Sequence, residues 1–488
     1  MKKLLTKSKF LNGLDADALL WRVVNEPESI PKPQDFQQQI FESGTEVGIF
    51  AQQYFKNGID LKDLDFKENI EATKNALAKR QPIFEAGFLA DRYFVRVDIL
   101  EPAKNNKWNI IEVKSSTKAK KTHIHDLAFQ KFVLQLCGLE INDTKVMLID
   151  NSYVRGDELD IKGLFKLENL NEKVDKFLVK VPALAEKMLR IMDLAVCPEF
   201  TIDDYKAGEY PNVFDDEFKA KLPKGSIFEL YRAKAKQLKP IWKNKIELLK
   251  DYPINDKTTP QQIIQIKVAQ TQETHIDKEK INEFLNGLEY PIYHLDFETF
   301  APAIPEFKNT QPYRQIPFQY SLHIEHENGT IEHREYLHTE NTDPRKPLFE
   351  QLRKEIGATG TILAFFDTFE KGRIGESVEI LPEYANWTKQ IIDRTQDLLT
   401  PFRQFYYYNA GQQGSCSIKK VLPVLSDLSY KNMPIANGGE AMSAYNQYIV
   451  KNEPHANKEQ LIKDMLAYCK QDTWAMVLIL RKLRSLVE

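Results

Sequence analysis

The sequence is organised around residues 290–300, which read YPIYHLDFETF from Tyr290 to Phe300. Apolar residues of β character enclose two carboxylates, Asp296 and Glu298, two positions apart. Because residues i and i+2 of a strand point to the same face, both carboxylates are predicted to project together. A buried strand carries adjacent carboxylates only with a partner, and a hard divalent cation is the usual one. The stretch predicts a buried strand with a metal site, and the alternative is a pair of solvated surface charges.

A further acidic position is predicted near the C-terminus, on a long helix at residues 461–486. Tyr468 and Asp472 are four residues apart, so they share one face of this helix. The apolar residues that continue this face predict that it is buried. A buried aspartate beside a tyrosine needs a partner, and the metal of Asp296 and Glu298 would supply one.

These two motifs resemble those of the DEDD exonucleases of the ribonuclease-H-like fold, in their tyrosine subclass. Asp296 and Glu298 match the first motif, and Tyr468 with Asp472 matches the third. The resemblance implies that the aspartate binds metal and that the tyrosine orients the attacking water. It also implies a 3′-5′ exonuclease-like activity that favours single-stranded 3′ ends.

The middle motif departs from the family pattern, which has an asparagine, two residues, an aromatic residue and an aspartate. This sequence has Phe366 for the asparagine, Phe369 for the aromatic residue and Glu370 for the aspartate. Glutamate can ligate a metal but reaches about one methylene further, and Asp367 is a competing candidate. The departure bears on the activity of this site more than on its fold.

The N-terminal half carries a second group of candidate residues. Period-two alternation predicts strands in three segments, at 83–88, 93–100 and 108–115. Asp98 lies toward the end of one strand, and Glu112 and Lys114 share a face of the next. Carboxylates of this kind hold a metal that activates water, and the lysine steadies the water or the developing phosphorane charge. The alternative is a structural salt bridge between Asp98 and Lys114.

The order of these three residues resembles the Asp…Glu-x-Lys core of the PD-(D/E)xK nucleases. Two further features resemble the RecB-like branch of that class. Gly44–Gly48 is similar to the helical motif that supplies an extra acidic metal ligand, here Glu46, and His125–Phe132 is similar to the branch's glutamine motif, here Gln130. The resemblance implies a site of four catalytic residues, Asp98, Glu112, Lys114 and Gln130.

Composition limits the cofactors and the compartment. The chain has 488 residues and a formal net charge of −3, so any contact with nucleic acid must come from local patches. The scattered cysteines, with no CxxC pair, fit a reducing cytosol and exclude a disulfide framework. Several RecB-like nucleases hold an iron–sulfur cluster through four cysteines, but this sequence has none before Cys137. We therefore expect Mg²⁺ or Mn²⁺ and no iron–sulfur cluster.

Basic and hydroxyl residues near both candidate centres predict contacts with phosphate. Lysines crowd the segment after Lys114, and a serine with two lysines opens a predicted helix whose amides could bind an anion. Solvated charged faces are the alternative. The candidate nucleic-acid-binding residues are Lys118, Lys120, Lys121, Arg314, Ser415, Lys419 and Lys420.

The order of motifs resembles an uncharacterised bacterial family that joins a RecB-like half to a DEDD-like half. It predicts an α/β chain in three parts. These are a restriction-endonuclease-like, RecB-type domain at 1–200, a helical connector and linker at 201–276, and a ribonuclease-H-like domain at 277–488. Within the connector, the polar, proline-containing residues 251–274 are the predicted linker.

The sequence therefore predicts a cytoplasmic, metal-dependent nuclease acting on DNA or RNA, with no membrane segment. Two other classes stay open: a module that binds nucleic-acid ends or a protein through vestigial sites, and a hydrolase or transferase acting on another phosphorylated substrate. The residue types fit either DNA or RNA as the substrate, either polarity of cleavage and any oligomeric state.

Overall fold

The computed structural model describes residues 3–31, 35–205, 213–430 and 433–488, except the side chains of 35–42 and 213–216. The fold is mixed α/β, as predicted. The chain divides into two compact units. The N-terminal unit comprises Met1–Glu217 and Pro302–Arg314, and the C-terminal unit comprises Phe218–Ala301 and Gln315–Glu488.

The N-terminal unit is built on one mixed sheet. Its described strands are β1 (Leu5–Thr6), β2 (Ile59–Asp60), β3 (Ile83–Ala90), β4 (Tyr93–Pro102), β5 (Trp108–Lys114), β6 (Ile141–Ile149) and β7 (Phe165–Asn169). The order is β2-β3-β4-β5-β6-β7, with β1 paired to β4. The central strands β3, β4 and β5 run antiparallel, and β6 is parallel to β5. The three strands predicted from alternation are thus present and adjacent.

The described helices of this unit are α1 (Lys7–Asp15), α2 (Asp17–Asn25), α3 (Asp35–Gln52), α4 (Phe66–Leu77), α5 (Lys121–Leu136), α6 (Ile161–Leu164), α7 (Asn171–Leu178) and α8 (Val181–Met192). Helix α9 (Val213–Lys221) begins in this unit and ends in the C-terminal unit. Helix α5 packs on the sheet through fully buried residues such as Leu127, Phe129 and Val133. Strand β7 was not predicted from the sequence, and its residues Phe165 to Asn169 pair antiparallel with β6.

Residues 302–314, which we call the insert segment, follow the central strand of the C-terminal unit but belong to the N-terminal unit. Ala303 and Ile304 are buried in a core cluster that includes Ile99 and Ile111. Two backbone hydrogen bonds join the segment to Arg155, from its amide to Thr310 at 3.0 Å and from the amide of Asn309 to its carbonyl at 2.9 Å. The insert segment is therefore a structural part of the N-terminal unit.

The C-terminal unit has a five-stranded sheet and a separate two-stranded sheet among its described residues. The strands are β8 (His275–Ile276), β9 (Ile292–Phe300), β10 (Ile316–Glu325), β11 (Ile331–Leu337), β12 (Ile362–Ala364), β13 (Thr395–Asp397) and β14 (Tyr407–Tyr408). The larger sheet has the order β11-β10-β9-β12-β13, with β9 antiparallel to β10 and parallel to β12. The stretch around Asp296 is thus a central strand, as predicted.

The described helices that lie wholly within the C-terminal unit are α10 (Ala235–Lys243), α11 (Pro260–Thr271), α12 (Lys278–Asn286), α13 (Arg345–Glu355), α14 (Asp367–Glu376), α15 (Ala385–Arg394), α16 (Thr400–Arg403), α17 (Ile418–Leu425), α18 (Gly438–Tyr445) and α19 (Lys458–Val487). Helix α19 packs on β9 and β10 with Ala475 and Ile479 buried. The predicted linker at 251–274 contains a packed helix, since α11 starts at a Thr259 capping box and buries Ile266.

Within the described ranges, none of the helices combines the length and the apolar character that a membrane span requires.

Candidate active sites

The first candidate site is a cleft of about 740 Å³ in the N-terminal unit. Asp98 on β4 and Glu112 and Lys114 on β5 all line it, as the sequence predicted they would converge. The register places Ile99 opposite Ile111, one residue from each acid. Asp98 is fixed by its Oδ2 atom, which accepts a hydrogen bond from the amide of Val113 at 2.9 Å.

Glu112 is the centre of the hydrogen-bond network in this cleft. Its side chain is fully buried, and its Oε1 atom lies 2.6 Å from the ammonium of Lys114. Gln130 on α5, also fully buried, donates from Nε2 to Oε2 of Glu112 at 2.6 Å and to Oδ1 of Asp126 at 2.9 Å. Lys114 reaches the other oxygen of Asp126 at 3.2 Å. Lys114 thus bridges two acids, and the glutamine motif contributes Asp126 as well as Gln130.

Lys7, at the start of α1, is a functional candidate that the sequence analysis missed. Its Nζ atom lies 3.0 Å from Oδ1 of Asp98 and 3.0 Å from Oε1 of Glu112. Lys7 is distant from both acids in sequence, and a basic residue near the N-terminus carries no motif. The ammonium occupies the position between two carboxylates where a cation is expected.

The electrostatics separate the three acids of the cleft. Burial and the neighbouring Glu112 raise the pKa of Asp98 to about 6, and the same causes raise that of Asp126 to about 6. Burial would also raise the pKa of Glu112, but the ammonium groups of Lys114 and Lys7 and the donor Gln130 hold it well below its usual range. Glu112 therefore stays ionised throughout the neutral range, whereas Asp98 and Asp126 take up protons below about pH 6.

Glu46 is placed differently from the other predicted residues. Several residues of α3, among them Gly44, Thr45 and Gly48, belong to the described lining of the cleft, but Glu46 does not. A Cβ atom added at Gly44 or Gly48 would meet no other group within 4 Å. The glycines of this motif thus leave the cleft open on that side, while the predicted ligand role of Glu46 stays a prediction.

The basic candidates of the N-terminal unit divide into two groups. Lys118, Lys120 and Arg314 line a groove of about 590 Å³, which shares Ser115, Ser116 and Lys120 with the cleft. Lys121 begins α5 and is exposed, and it is not among the described residues that line either cavity.

The second candidate site is a cavity of about 260 Å³ in the C-terminal unit. Its polar lining brings together all the acids predicted for it, from three elements. Strand β9 contributes two, α14 contributes one from its first turn, and α19 contributes one with a tyrosine. These residues are Asp296, Glu298, Glu370, Asp472 and Tyr468.

Burial and mutual repulsion dominate the electrostatics of this cavity. Burial and the charge of Asp472 raise the pKa values of Asp296 and Glu298 well above their usual range. Burial raises the pKa of Glu370 to about 8 and that of Asp472 to about 6. Four carboxyl groups at one place thus resist ionisation together.

The structure distinguishes between the two candidates for the middle motif. Asp367 forms an ion pair with Lys371 at 2.5 Å and is not among the residues described as lining the cavity. Glu370 lines the cavity and is only 3 % exposed, and its buried Oε2 atom has no hydrogen-bond partner among the described residues. A buried carboxylate oxygen without a donor is costly, so Glu370 is the residue that fits a ligand role.

Two residues of this site were missed from the sequence. Tyr430 donates a hydrogen bond from its hydroxyl to Oδ1 of Asp472 at 2.6 Å. The buried thiol of Cys469 lies 3.7 Å from Oδ2 of Asp296. Atoms of Asp296, Glu298 and Cys469 all lie within 4.8 Å of one another, which is close enough to share one cation.

The basic residues in the first turn of α17 reach this site through one lysine. The Nζ atom of Lys419 lies 5.5 Å from the ring centroid of Tyr430 and 5.9 Å from that of Tyr468. Burial raises the pKa values of Glu298 and Asp472, and the charge of Lys419 opposes that rise. The ammonium of Lys419 donates to the carbonyl of Ala436 at 2.6 Å, and that of Lys420 donates to Oε1 of Gln413 at 2.6 Å.

Ser415 does not open the helix as predicted. The helix starts at Ile418, with Ser417 as its N-cap, and the Ser415 hydroxyl lies 3.3 Å from that of Ser417. Ser415 therefore precedes the first turn, and the side chain from this segment that comes close to the acids is the lysine at 419.

Part of the chain matches a protein family of unknown function. Residues 293–417 match the family described as a domain of unknown function, DUF2779. The chain is 27% identical over 234 residues to the uncharacterized protein MG366 of Mycoplasma genitalium, covering 43% of this chain and 34% of the relative. It is 25% identical over 222 residues to the uncharacterized protein UU173 of Ureaplasma parvum, covering 40% of this chain and 31% of the relative. The match thus spans about a third of the length of these curated relatives. No solved structure matches the chain.

Proposed function

We propose that the protein is a metal-dependent nuclease that cleaves phosphodiester bonds of DNA or RNA. The N-terminal unit would be a RecB-like PD-(D/E)xK domain, and the C-terminal unit would be a DEDD-type, ribonuclease-H-like exonuclease domain acting on single-stranded 3′ ends. The unpaired state of all four cysteines supports the expected cytoplasmic location.

One observation carries the proposal: four carboxyl groups from β9, α14 and α19 converge on one cavity of the C-terminal unit. Such a group is unfavourable in a buried site unless a cation neutralises it. The donors are hard oxygen atoms, and the partnerless Oε2 of Glu370 supplies one that is already desolvated. This chemistry fits Mg²⁺ or Mn²⁺.

A divalent cation bound there would supply an activated water and would stabilise the leaving oxygen of a phosphodiester. The chain's own residues set the geometry. Asp296, Glu298, Glu370 and Asp472 would hold the cation. Burial raises the pKa of Tyr468 far above neutral, so its hydroxyl keeps its proton and can orient water. The hydroxyl groups of Tyr430 and Tyr468 both hydrogen-bond to the carboxylate of Asp472, and that of Tyr430 donates to Oδ1 at 2.6 Å.

In the N-terminal unit, Asp98 and Glu112 would hold the metal, and Lys114 would face the scissile phosphate. Gln130 fixes the carboxylate of Glu112 and keeps Asp126 beside the lysine. Burial would lower the pKa of Lys114, but Glu112 and Asp126 raise it above its usual range. Lys114 therefore acts as a permanent positive charge that stabilises the transition state, and not as a base.

One observation favours a second candidate function for the N-terminal unit, a binding module without catalysis. The ammonium of Lys7 lies between Asp98 and Glu112, and Glu112 accepts hydrogen bonds on both oxygens from Lys7, Lys114 and Gln130. In that function the acids would hold the lysines in place, and the lysines would bind phosphate without metal.

The test is cleavage of end-labelled single- and double-stranded DNA and RNA in Mg²⁺, Mn²⁺ or EDTA. Wild type is compared with Glu112→Gln and Asp296→Asn, which keep the shape of each side chain and remove its charge. We expect metal-dependent cleavage that one or both variants abolish, and the product ladder gives the polarity. Absence of cleavage of all four substrates would contradict the nuclease proposal. Cleavage lost only in Asp296→Asn would favour the binding role of the N-terminal unit.

A further inference from the structure

The groove beside the first cleft has a charge pattern unlike the chain as a whole. Three of its lining residues are cations, and none of the described lining residues is acidic. The lining consists of Ser115, Ser116, Thr117, Lys118, Lys120, Asn151, Gln311, Pro312, Tyr313 and Arg314. The whole chain carries a net charge of −3. A groove whose described lining consists of cations and uncharged residues is therefore a local anion-attracting surface.

The aromatic residue of this groove is held in a fixed position. The hydroxyl group of Tyr313 lies 3.3 Å from that of Ser115, the residue directly after Lys114. Its amide donates to the carbonyl of Pro302 at 2.9 Å, and its φ of 59° is left-handed, which is uncommon for an aromatic residue. The surrounding contacts thus determine where this ring lies.

The insert segment that carries Tyr313 and Arg314 is anchored well beyond the groove. Ala303 and Ile304 are part of the buried core of the N-terminal unit, and the ammonium of Lys308 lies 2.7 Å from Asp157. A pre-organised ring and cation lose little conformational entropy when a ligand binds. The insert segment is therefore suited to forming one wall of a binding site.

The groove and the cleft form a continuous surface. Ser115, Ser116 and Lys120 line both cavities. A chain of phosphates that occupies the cleft at Lys114 can therefore continue past Tyr313 without leaving the protein. The groove volume of about 590 Å³ lies within the range of about 300–1,000 Å³ that holds small ligands. A cavity of this volume suits about one or two nucleotides of a single strand.

We propose that this groove binds the single-stranded segment of nucleic acid next to the phosphodiester in the first cleft. A base stacks on the ring of Tyr313, and Lys118, Lys120 and Arg314 contact the flanking phosphates. Stacking on an aromatic ring accepts any base, and the basic side chains follow the backbone, so the groove favours single strands without reading sequence. This inference rests on the proposed function for the identity of the ligand, but it concerns binding and not cleavage.

The test is fluorescence anisotropy of a labelled single-stranded oligonucleotide with the full-length protein in EDTA, where cleavage is stopped. Tyr313→Ala should weaken binding by about fivefold to a hundredfold, the range for loss of one stacked base. Tyr313→Phe keeps the ring and should bind like wild type. Lys118→Gln and Arg314→Gln should weaken binding and reduce its dependence on salt concentration. Lys176→Gln, an exposed lysine on α7, is the matched control and should change neither.

The outcomes separate this proposal from the nuclease proposal. Unchanged affinity in Tyr313→Ala, Lys118→Gln and Arg314→Gln would overturn the groove, even if wild type cleaves. Equal affinity for duplex and single strand, with equal losses in the variants, would overturn the preference for single strands. Weakened single-strand binding in a protein that cleaves no substrate would support the groove and contradict the nuclease. Melting curves with Tyr313→Phe and Tyr313→Ala matched to wild type exclude misfolding as the cause.

Discussion

The Nζ atom of Lys7 lies 3.0 Å from Oε1 and 3.2 Å from Oε2 of Glu112, across 105 residues of sequence. This contact connects the start of α1 to the strand that carries the acid-x-lysine motif. It places a cation of the protein where a metal-dependent nuclease would bind its metal. Lys7 and a divalent ion are therefore expected to compete for the same carboxylates.

The first prediction follows from this competition. Lys7→Met removes the charge but keeps a long side chain, so it should tighten Mn²⁺ binding by the N-terminal unit by about tenfold. The metal-free variant should melt at a lower temperature, because Asp98 and Glu112 lose a partner. Calorimetric titration in an Asp296→Ala background isolates this site. Lys9→Met is the matched control, since Lys9 donates to the carbonyl of Leu4. Weaker Mn²⁺ binding in Lys7→Met would show that Lys7 assists the metal.

The second prediction concerns pH and the second site. Glu370 has a pKa of about 8 in the folded protein, compared with about 4.3 for an exposed glutamate. The native state thus holds a proton that the unfolded chain releases, so metal-free stability should fall as pH rises from about 6 to about 8. Mn²⁺ should oppose this loss. Melting temperatures across this range should fall less steeply in Glu370→Gln than in wild type, and equal slopes would contradict the buried position of Glu370.

The third prediction concerns the buried glutamine of α5. Gln130→Leu removes the donor to Oδ1 of Asp126 and the shorter of the two hydrogen bonds to Oε2 of Glu112, which should cost about 1–3 kcal/mol of stability. Gln130→Glu should cost more, because it adds a carboxylate beside two others. Differential scanning calorimetry of the full chain can follow the transition that these variants shift. A Gln130→Glu protein as stable as wild type would mean that the network is not formed in solution.

The fourth prediction uses two adjacent lysines as a matched pair. Lys419 lies beside Tyr430 and Tyr468, whereas Lys420 is bonded to Gln413. Lys419→Ala should raise the pKa values of Glu298 and Asp472 and lower kcat/KM of the second centre by about tenfold. Lys420→Ala should remain within about twofold of wild type. The assay is single-strand degradation in a Glu112→Gln background, and equal effects of both substitutions would argue against a role for Lys419 in the site.

Local patterns predicted the parts of the sites that lie on one helix or on two consecutive strands. Alternation at β4 and β5 predicted that Asp98, Glu112 and Lys114 would meet, and helical spacing placed Tyr468 and Asp472 on one buried face. Those patterns depend only on neighbours in the chain, so the sequence contains them.

Contacts between distant segments were not predictable in this way. Lys7 and Tyr430 are isolated in sequence, and only the fold brings them to Glu112 and Asp472. The insert segment looked like a proline-marked loop, and its place in the N-terminal core depends on Ala303 and Ile304 meeting side chains more than a hundred residues earlier. Strand β7 was missed because its short alternation lies among lysine-rich helices.

The insert segment has a practical consequence for how this protein can be divided. A fragment that ends at Glu217 lacks Ala303 and Ile304, so it exposes part of its apolar core to water and is expected to aggregate. A fragment that begins at Phe218 retains residues 302–314 but lacks the rest of the N-terminal unit, against which they pack. Separate expression of either half should therefore succeed only if residues 302–314 are grafted onto the first and replaced by a short linker in the second.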